Sequence, residues 1–305
     1  MRAAKLMIYF LMVILCCAFL SSCAAMQEGM DVLSATGKIS ESDKQAIVKT
    51  TQAVRKSFAD ITEEEEYYIG RAVSALILSQ YPVYQNDSLT QYINYVGNAV
   101  VYYSDRPETY AGYHFLILDT EEVNAMAAPG GFIFISKGLL RRCRNEEMLA
   151  SILAHEVGHV SAKHGLQSIK KSRLIDAFRI IGQEAAQKYG SEKLAQLTEI
   201  FEDVLGDIAE KLIERGYDRK YEYEADKLSV SYASRTGYNP NGLLDFLQTM
   251  VGGSSQGGAK GWFKTHPSAQ ERIEKVKREM TALGGIDKEN LARTERFKQA
   301  VRSLK

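Results

Sequence analysis

This chain has almost no material for a disulfide framework. Only four cysteines stand among its 305 residues, and two of them, Cys16 and Cys17, sit together in an apolar run near the start. Charge of one sign is missing too: Lys+Arg and Asp+Glu both number 38, so no basic excess points to nucleic acid and no acidic excess to a cationic partner. No internal repeat or long low-complexity tract is visible, which argues against a solenoid. The apolar run itself, Leu6 to Leu20, is 15 residues long, short for a bilayer that takes about 20. What is present is ordinary globular material, 45% hydrophobic and 25% charged. The length suffices for one large core or two small domains.

The first residues follow the plan of a secretory signal. Arg2 and Lys5 precede the apolar run, and the small residues Ser21 and Ser22 follow it, ahead of Cys23. Leu20-Ser21-Ser22-Cys23 also resembles the bacterial lipobox. That resemblance implies a signal peptide over 1–22, cleavage before Cys23, and lipid on its thiol and amine. Ala24 in place of Asp then implies sorting to the outer membrane, with the body in the periplasm. The other reading is an uncleaved anchor helix, since spans vary in length. Both put the body outside the cytoplasm. With Cys23 lipidated, Cys143 is the sole remaining thiol and the mature chain can form no internal disulfide. Arg141-Arg142-Cys143-Arg144 has no partner motif for a nucleophile and reads as a structural or surface position.

Residues 23–60 are polar and mixed, a tether with room for a short helix between Ser40 and Ala59. Thr62 caps a helix whose first turn is acidic, and a second helix is predicted from Ser88 to Tyr103. Tyr113 to Leu118 reads as a strand, and Phe132-Ile133-Phe134-Ile135-Ser136 as another after a Pro-Gly-Gly turn. Asn145 caps the next helix, and Lys163, His164 and Gly165 suit its end. Residues 166–216 look like an inserted pair of helices, a cover for the site, a partner surface or plain packing. A glycine-rich loop after Gly252 leads to Trp262-Phe263, either a mobile lid or an aromatic plug. The predicted fold class is α+β, mainly helical with a small mixed sheet. The domain spans 61–283, and 284–305 forms a C-terminal helical tail.

The chemistry lies in the helix after Asn145. From Met148 to Ala162 its only charged side chain is Glu156, if the histidines are neutral. A helix that is apolar or small all round is buried, and a lone buried carboxylate is unfavourable without a partner. His155 and His159, four apart, lie one turn from each other on one face. They can grip one metal ion, and Glu156 can act on water held by it. A third ligand must come from another element. Glu222 and Asp226 share a face of a second helix flanked by the small Ala225, Ser229, Ala233 and Ser234. Glu222 suits the third position, and Asp226 can orient a ligating imidazole. Glu224 points elsewhere, toward solvent. His164 reads as a capping or hydrogen-bonding residue, not a ligand.

Asn124 through Leu140, His155-Glu156-Val157-Gly158-His159 with His164, Glu222-Tyr223-Glu224-Ala225-Asp226, and Thr265-His266-Pro267 with Arg272 stand in the order seen in the M48 family of metallopeptidases, which the chain resembles from the Glu63 helix to the helix after His266. The resemblance implies a zincin-type (gluzincin) domain with its small sheet beside the H-E-x-x-H helix. It implies one Zn²⁺ on His155, His159 and Glu222, Glu156 as general base and Asp226 behind a ligand. It also implies that the strand at Gly131, Phe132, Ile133 and Phe134 receives substrate as an added β-strand. Arg272 is expected as a structural ion-pair partner of the site helices. For His266 two readings stand: a loop histidine packed near the site, or a fourth ligand that keeps the enzyme latent.

The implied function is a zinc metalloendopeptidase that hydrolyses misfolded or unassembled cell-envelope proteins. Its expected partners are those substrates, the membrane through Cys23 and envelope assembly machinery. A chaperone or assembly factor with a silenced site is the alternative. A zinc-stabilised structural protein has no need of Glu156.

Overall fold

Thr62 opens the described chain with a capping box. Its hydroxyl accepts from Glu65 N–H at 3.2 Å while the Glu65 carboxylate accepts from Thr62 N–H at 2.8 Å. The structure, a computed structural model, describes residues 61–167, 206, 208–252, 262, 265–266, 269–282 and 290–304, all within the unit Ile61–Lys305. The expected signal, Cys23, the tether, most of the 166–216 insertion, the glycine-rich loop and Phe263 lie outside the described residues. Among the described residues no helix is long and apolar enough to cross a membrane.

In chain order come α1 (Glu63–Gln80), α2 (Asp87–Tyr102), β1 (His114–Leu118), β2 (Ala125–Ala128), a 3-10 turn (Pro129–Gly131), β3 (Phe132–Ser136), α3 (Lys137–Arg142), α4 (Glu146–Ser161) and α5 (His164–Gln167). A π turn (Lys211–Arg215), α6 (Arg219–Thr236), α7 (Asn241–Gly252), α8 (Ala269–Ala282) and α9 (Leu291–Ala300) follow. This is the mainly helical α+β architecture the sequence predicts.

Everything is arranged around α4. Asn145 caps it through Met148 N–H, and every residue from Glu146 to Val160 is buried. One wall around it is α6, which crosses closely because small residues line the crossing. A Cβ on Gly158 would stand 3.3 Å from Ala225 O, and Ser229 Oγ donates to Ser151 O at 2.7 Å. The acids in the first turn of α4 are themselves anchored. Glu146 accepts from Tyr92 and Tyr238 and from both arms of the Arg296 fork, while Glu147 accepts from Arg293 and Asn239 N–H. The expected tail, α9, is thus bound into the core, with Phe297 and Leu304 buried. Cys143 is buried as well, and burial pushes its thiol far above the ordinary range, which suits a packing residue.

The helix does not end on glycine. Lys163 takes the left-handed position, φ 54°, and the chain turns at once into α5. This turn brings His164 back against His159.

The sheet is mixed, in the order β1-β3-β2, with β1 parallel and β2 antiparallel to β3. That order corrects the expectation for Gly131–Phe134. The strand that follows Gly131 is the middle one, hydrogen-bonded on both sides, so it has no edge to offer an incoming strand. The outer side of β1 is partly covered by the Val83 bridge and by Tyr84 N–H bonding Ile117 O. The edge that faces the buried histidines is β2.

Packing between α2 and the sheet depends on Gly97. A Cβ there would lie 2.4 Å from the Phe115 ring. Gly97→Ala should therefore destabilise the protein by about 1–3 kcal/mol through overpacking. The check is a lower urea midpoint at unchanged slope; an unshifted midpoint would remove Gly97 as the packing constraint.

Candidate active site

Where α4 crosses α6, three donors converge. His155 Nε2 and His159 Nε2 are 3.1 Å apart, and the Glu222 oxygens lie 3.6 and 3.5 Å from them. A tetrahedral ion with ligands at roughly 2.0–2.1 Å has edges of about 3.4 Å. All three separations cluster around that value, so these residues fit one metal ion. His266 joins them, and the four candidate ligand atoms lie within 4.8 Å of one another. Its Nδ1 is 3.0 Å from Glu222 Oε2, and its Nε2 donates to Ala125 O at 3.3 Å.

Each imidazole is braced on its far side. His155 Nδ1 is 3.0 Å from Asp226 Oδ1. Asp226 in turn receives Nε and Nη2 of the buried Arg272 at 2.8 and 2.7 Å, and the third nitrogen of that guanidinium, Nη1, is 3.0 Å from Glu222. His159 Nδ1 meets His164 Nδ1 at 2.9 Å, and His164 Nε2 reaches Glu224 at 3.3 Å. Glu224 is exposed, as expected, yet still touches this chain of histidines.

Burial and neighbours sort the charges. Burial alone would raise the Glu222 and Asp226 carboxyls. For Glu222, His266, Arg272 and the two ligand-side histidines more than offset it; for Asp226, Arg272 and His155 do. Both stay below their usual range. Burial would lower His155, but Asp226 and Glu222 push it up to about 9. His159 is held low, chiefly by burial. The metal-free site thus carries a proton on His155 that a metal ion has to displace.

Glu156 differs from the other acids. It is buried, burial raises its carboxyl, and neither oxygen has a hydrogen-bond partner among the described residues. His266 Nε2 lies 3.8 Å from its Oε1. A desolvated, unpartnered carboxylate beside three metal donors is placed to handle a proton in that space.

Sequence reasoning missed several contributors. Tyr217 stacks on His159, with centroids 4.4 Å apart, and its hydroxyl donates to Ala127 O at 3.2 Å. Burial, Glu156 and Glu222 raise its phenol well above the ordinary range, so it remains a neutral donor. Glu66, read as part of a charged helix start, is buried, takes both arms of Arg106 at 2.9 Å and accepts from Gly130 N–H. It fixes the left-handed Gly130 turn that ends β2. Only long-range contacts reveal these roles. Trp262 is the plug of the two readings given for it, buried and stacked 4.0 Å from His266.

A pH dependence follows for the metal-free protein. His155 has a folded value of about 9 against 6.5 unfolded. Its contribution is full below 6.5 and is lost as pH rises through 9. Chelator-treated protein should lose stability over that window, and Asp226→Asn should flatten the slope while weakening metal retention by about 10- to 100-fold. Urea midpoints at the two ends of the window and a chelator competition provide the check; identical slopes for both proteins would overturn this assignment.

The sequence model of Peptidase family M48 matches residues 87–280, well over half of the chain. Similar proteins include the beta-barrel assembly-enhancing protease of Yersinia pestis, 26% identical over 200 residues, which is 63% of this chain and 39% of that protein. The mitochondrial metalloendopeptidase OMA1 of Schizosaccharomyces pombe is 25% identical over 232 residues, 73% of this chain and 63% of its own. Metalloprotease YcaL of Escherichia coli is 30% identical over 165 residues, 54% and 61% of the two chains. The match spans less than two thirds of each of these relatives. With that match over most of its length, the chain belongs to peptidase family M48.

Proposed function

We propose that this protein is a zinc-dependent endopeptidase of the cell envelope that hydrolyses misfolded or unassembled proteins there. One zinc per chain is held by His155, His159 and Glu222. The observation that carries this reading is the buried, unpartnered Glu156 beside three donors at tetrahedral spacing. Zinc at such a site supplies a Lewis acid that makes water more acidic and polarises a carbonyl. Glu156 takes the proton of the attacking water and passes it to the leaving nitrogen. Asp226 and His164 hold the ligand imidazoles in the tautomer that turns Nε2 inward.

Substrate binds as a strand along the outer edge of β2, the side away from β3. In an antiparallel pair alternate residues face the partner. Ser136 N–H bonds Asn124 O, so 124, 126 and 128 face β3 while Ala125 and Ala127 face outward. Backbone pairing there reads extended, unfolded chain more than side-chain identity, which suits a substrate defined by being unfolded.

The envelope assignment rests on the leader and on Cys23 as the lipidated residue, with the body periplasmic and tethered to the outer membrane. The naming of similar proteins as beta-barrel assembly-enhancing proteases supports it, as it supports envelope assembly machinery as a partner. A second reading, an assembly factor with a silenced site, is favoured by His266. As a fourth ligand it would close the position that water needs, and Trp262 and the Thr265–Asn124 hydrogen bond hold it in place.

Two variants test these readings. Glu156→Gln should keep its zinc by metal analysis yet lose cleavage of an unfolded casein-type substrate by about 100-fold or more; a variant that still digests the substrate would sink the mechanism. His266→Ala should raise cleavage severalfold if the enzyme is latent. Equal or lower activity assigns His266 to packing or to catalysis instead.

A further inference from the structure

The outward face of β2 is already occupied. Its two outward carbonyls, Ala125 O and Ala127 O, accept from His266 Nε2 at 3.3 Å and from the Tyr217 hydroxyl at 3.2 Å. These acceptors are alternate residues on one edge, about 6.8 Å apart along a strand. That is the repeat at which an added strand presents its N–H groups. Two side chains from separate parts of the chain therefore stand where two backbone donors of a substrate would stand.

Tyr217 is firmly placed. Its ring lies flat on His159, tilted by 21°, and its residue is 5% exposed. Gly216, just before it, has φ 72° and packs so tightly on the backbone of Thr265 that a Cβ would come within 1.8 Å of Thr265 O. Thr265 is bonded to Asn124 at the start of β2, and His266 follows it. The segment that brings Tyr217 in is the π turn Lys211–Arg215, whose Leu212 lines the same space beside Glu156, Ala125 and Met126. Only about 10 Å³ is open there, room for about one water molecule and none for a peptide. The two closing segments lock against each other across Gly216 and Thr265.

We propose that Tyr217 is a gate that mimics substrate: its hydroxyl holds the Ala127 carbonyl that the N–H of an incoming peptide must take, and peptide binding displaces it. The gate rests on the strand-addition reading above and is distinct from closure of the metal by His266. Tyr217 competes for a backbone acceptor and contributes no metal donor. An isolated side chain or a short peptide that cannot reach both carbonyls does not open it. An extended chain, which replaces both hydrogen bonds at once, does.

Tyr217→Phe removes one oxygen and keeps the ring on His159. In the zinc-loaded Glu156→Gln background, which retains peptide, a fluorescent unstructured peptide should bind roughly two- to tenfold tighter when Phe stands at 217, the equivalent of one hydrogen bond. With Glu156 intact, the single variant should show KM lowered by a similar factor and kcat little changed. Kd and KM that are unchanged or raised would overturn the gate, as would a fall in kcat at constant KM, which would make Tyr217 a catalytic donor. Peptide that binds neither protein would overturn it too. If the wild type binds peptide and never cleaves it, the proteolytic reading fails alone, and the comparison of the two Kd values still decides the gate.

Discussion

The buried guanidinium of Arg272 is the interaction on which the site depends. It places two hydrogen bonds on Asp226 and its third nitrogen 3.0 Å from Glu222, with no exposure to solvent. Two carboxylates so close on one helix face repel each other, and a low-dielectric interior amplifies the repulsion. A single fork of fixed geometry answers both. It lets Glu222 stay ionised as a donor and Asp226 stay ionised behind His155. The same contact pins α8 to α6, and the residues ahead of α8 include His266. Removing one member of such a buried set leaves the others uncompensated, which costs about 3–5 kcal/mol.

A second polar lock works at the far end of α4. Helix N-termini favour acids, but Glu146 is buried there and needs more than the helix dipole. Arg296 and two tyrosine hydroxyls supply it. Helix α4 is thus held at its start by α9 and at its middle by α6, and its sides are packed by apolar and small residues. Such bracing suits a site whose donors must keep spacings of a few tenths of an ångström before any ion arrives.

Much of this was legible because it is local. Capping by Thr62 and Asn145, the shared face of His155 and His159, and the four-residue step from Glu222 to Asp226 all follow from helix geometry. The small residues around Asp226 foretold a close crossing, and Gly158 against Ala225 bears this out. Strand order was not legible. Phe132–Ser136 has the more strand-like composition, whereas Ala125-Met126-Ala127-Ala128 has little β propensity. Yet the latter is the edge and the former the centre, because pairing is decided by what each strand meets in three dimensions. Glu66 under Gly130 and Glu224 behind His164 are likewise contacts between distant elements, with no periodic signature to announce them.

The short sheet makes one problem serve two ends. An open edge of small apolar residues is a template for unwanted pairing. On the proposed strand addition, the outward acceptors of β2 cannot be blunted by a bulge or an inward charge without spoiling the place a substrate strand would take. Side chains that cap the carbonyls and can be exchanged for backbone donors protect the edge without destroying it. Tyr217 and His266 meet that requirement from segments that also touch each other through Gly216 and Thr265. On the proposed gate, edge protection and control of substrate access would become one set of hydrogen bonds, and loosening the contact between those two segments would free both carbonyls together.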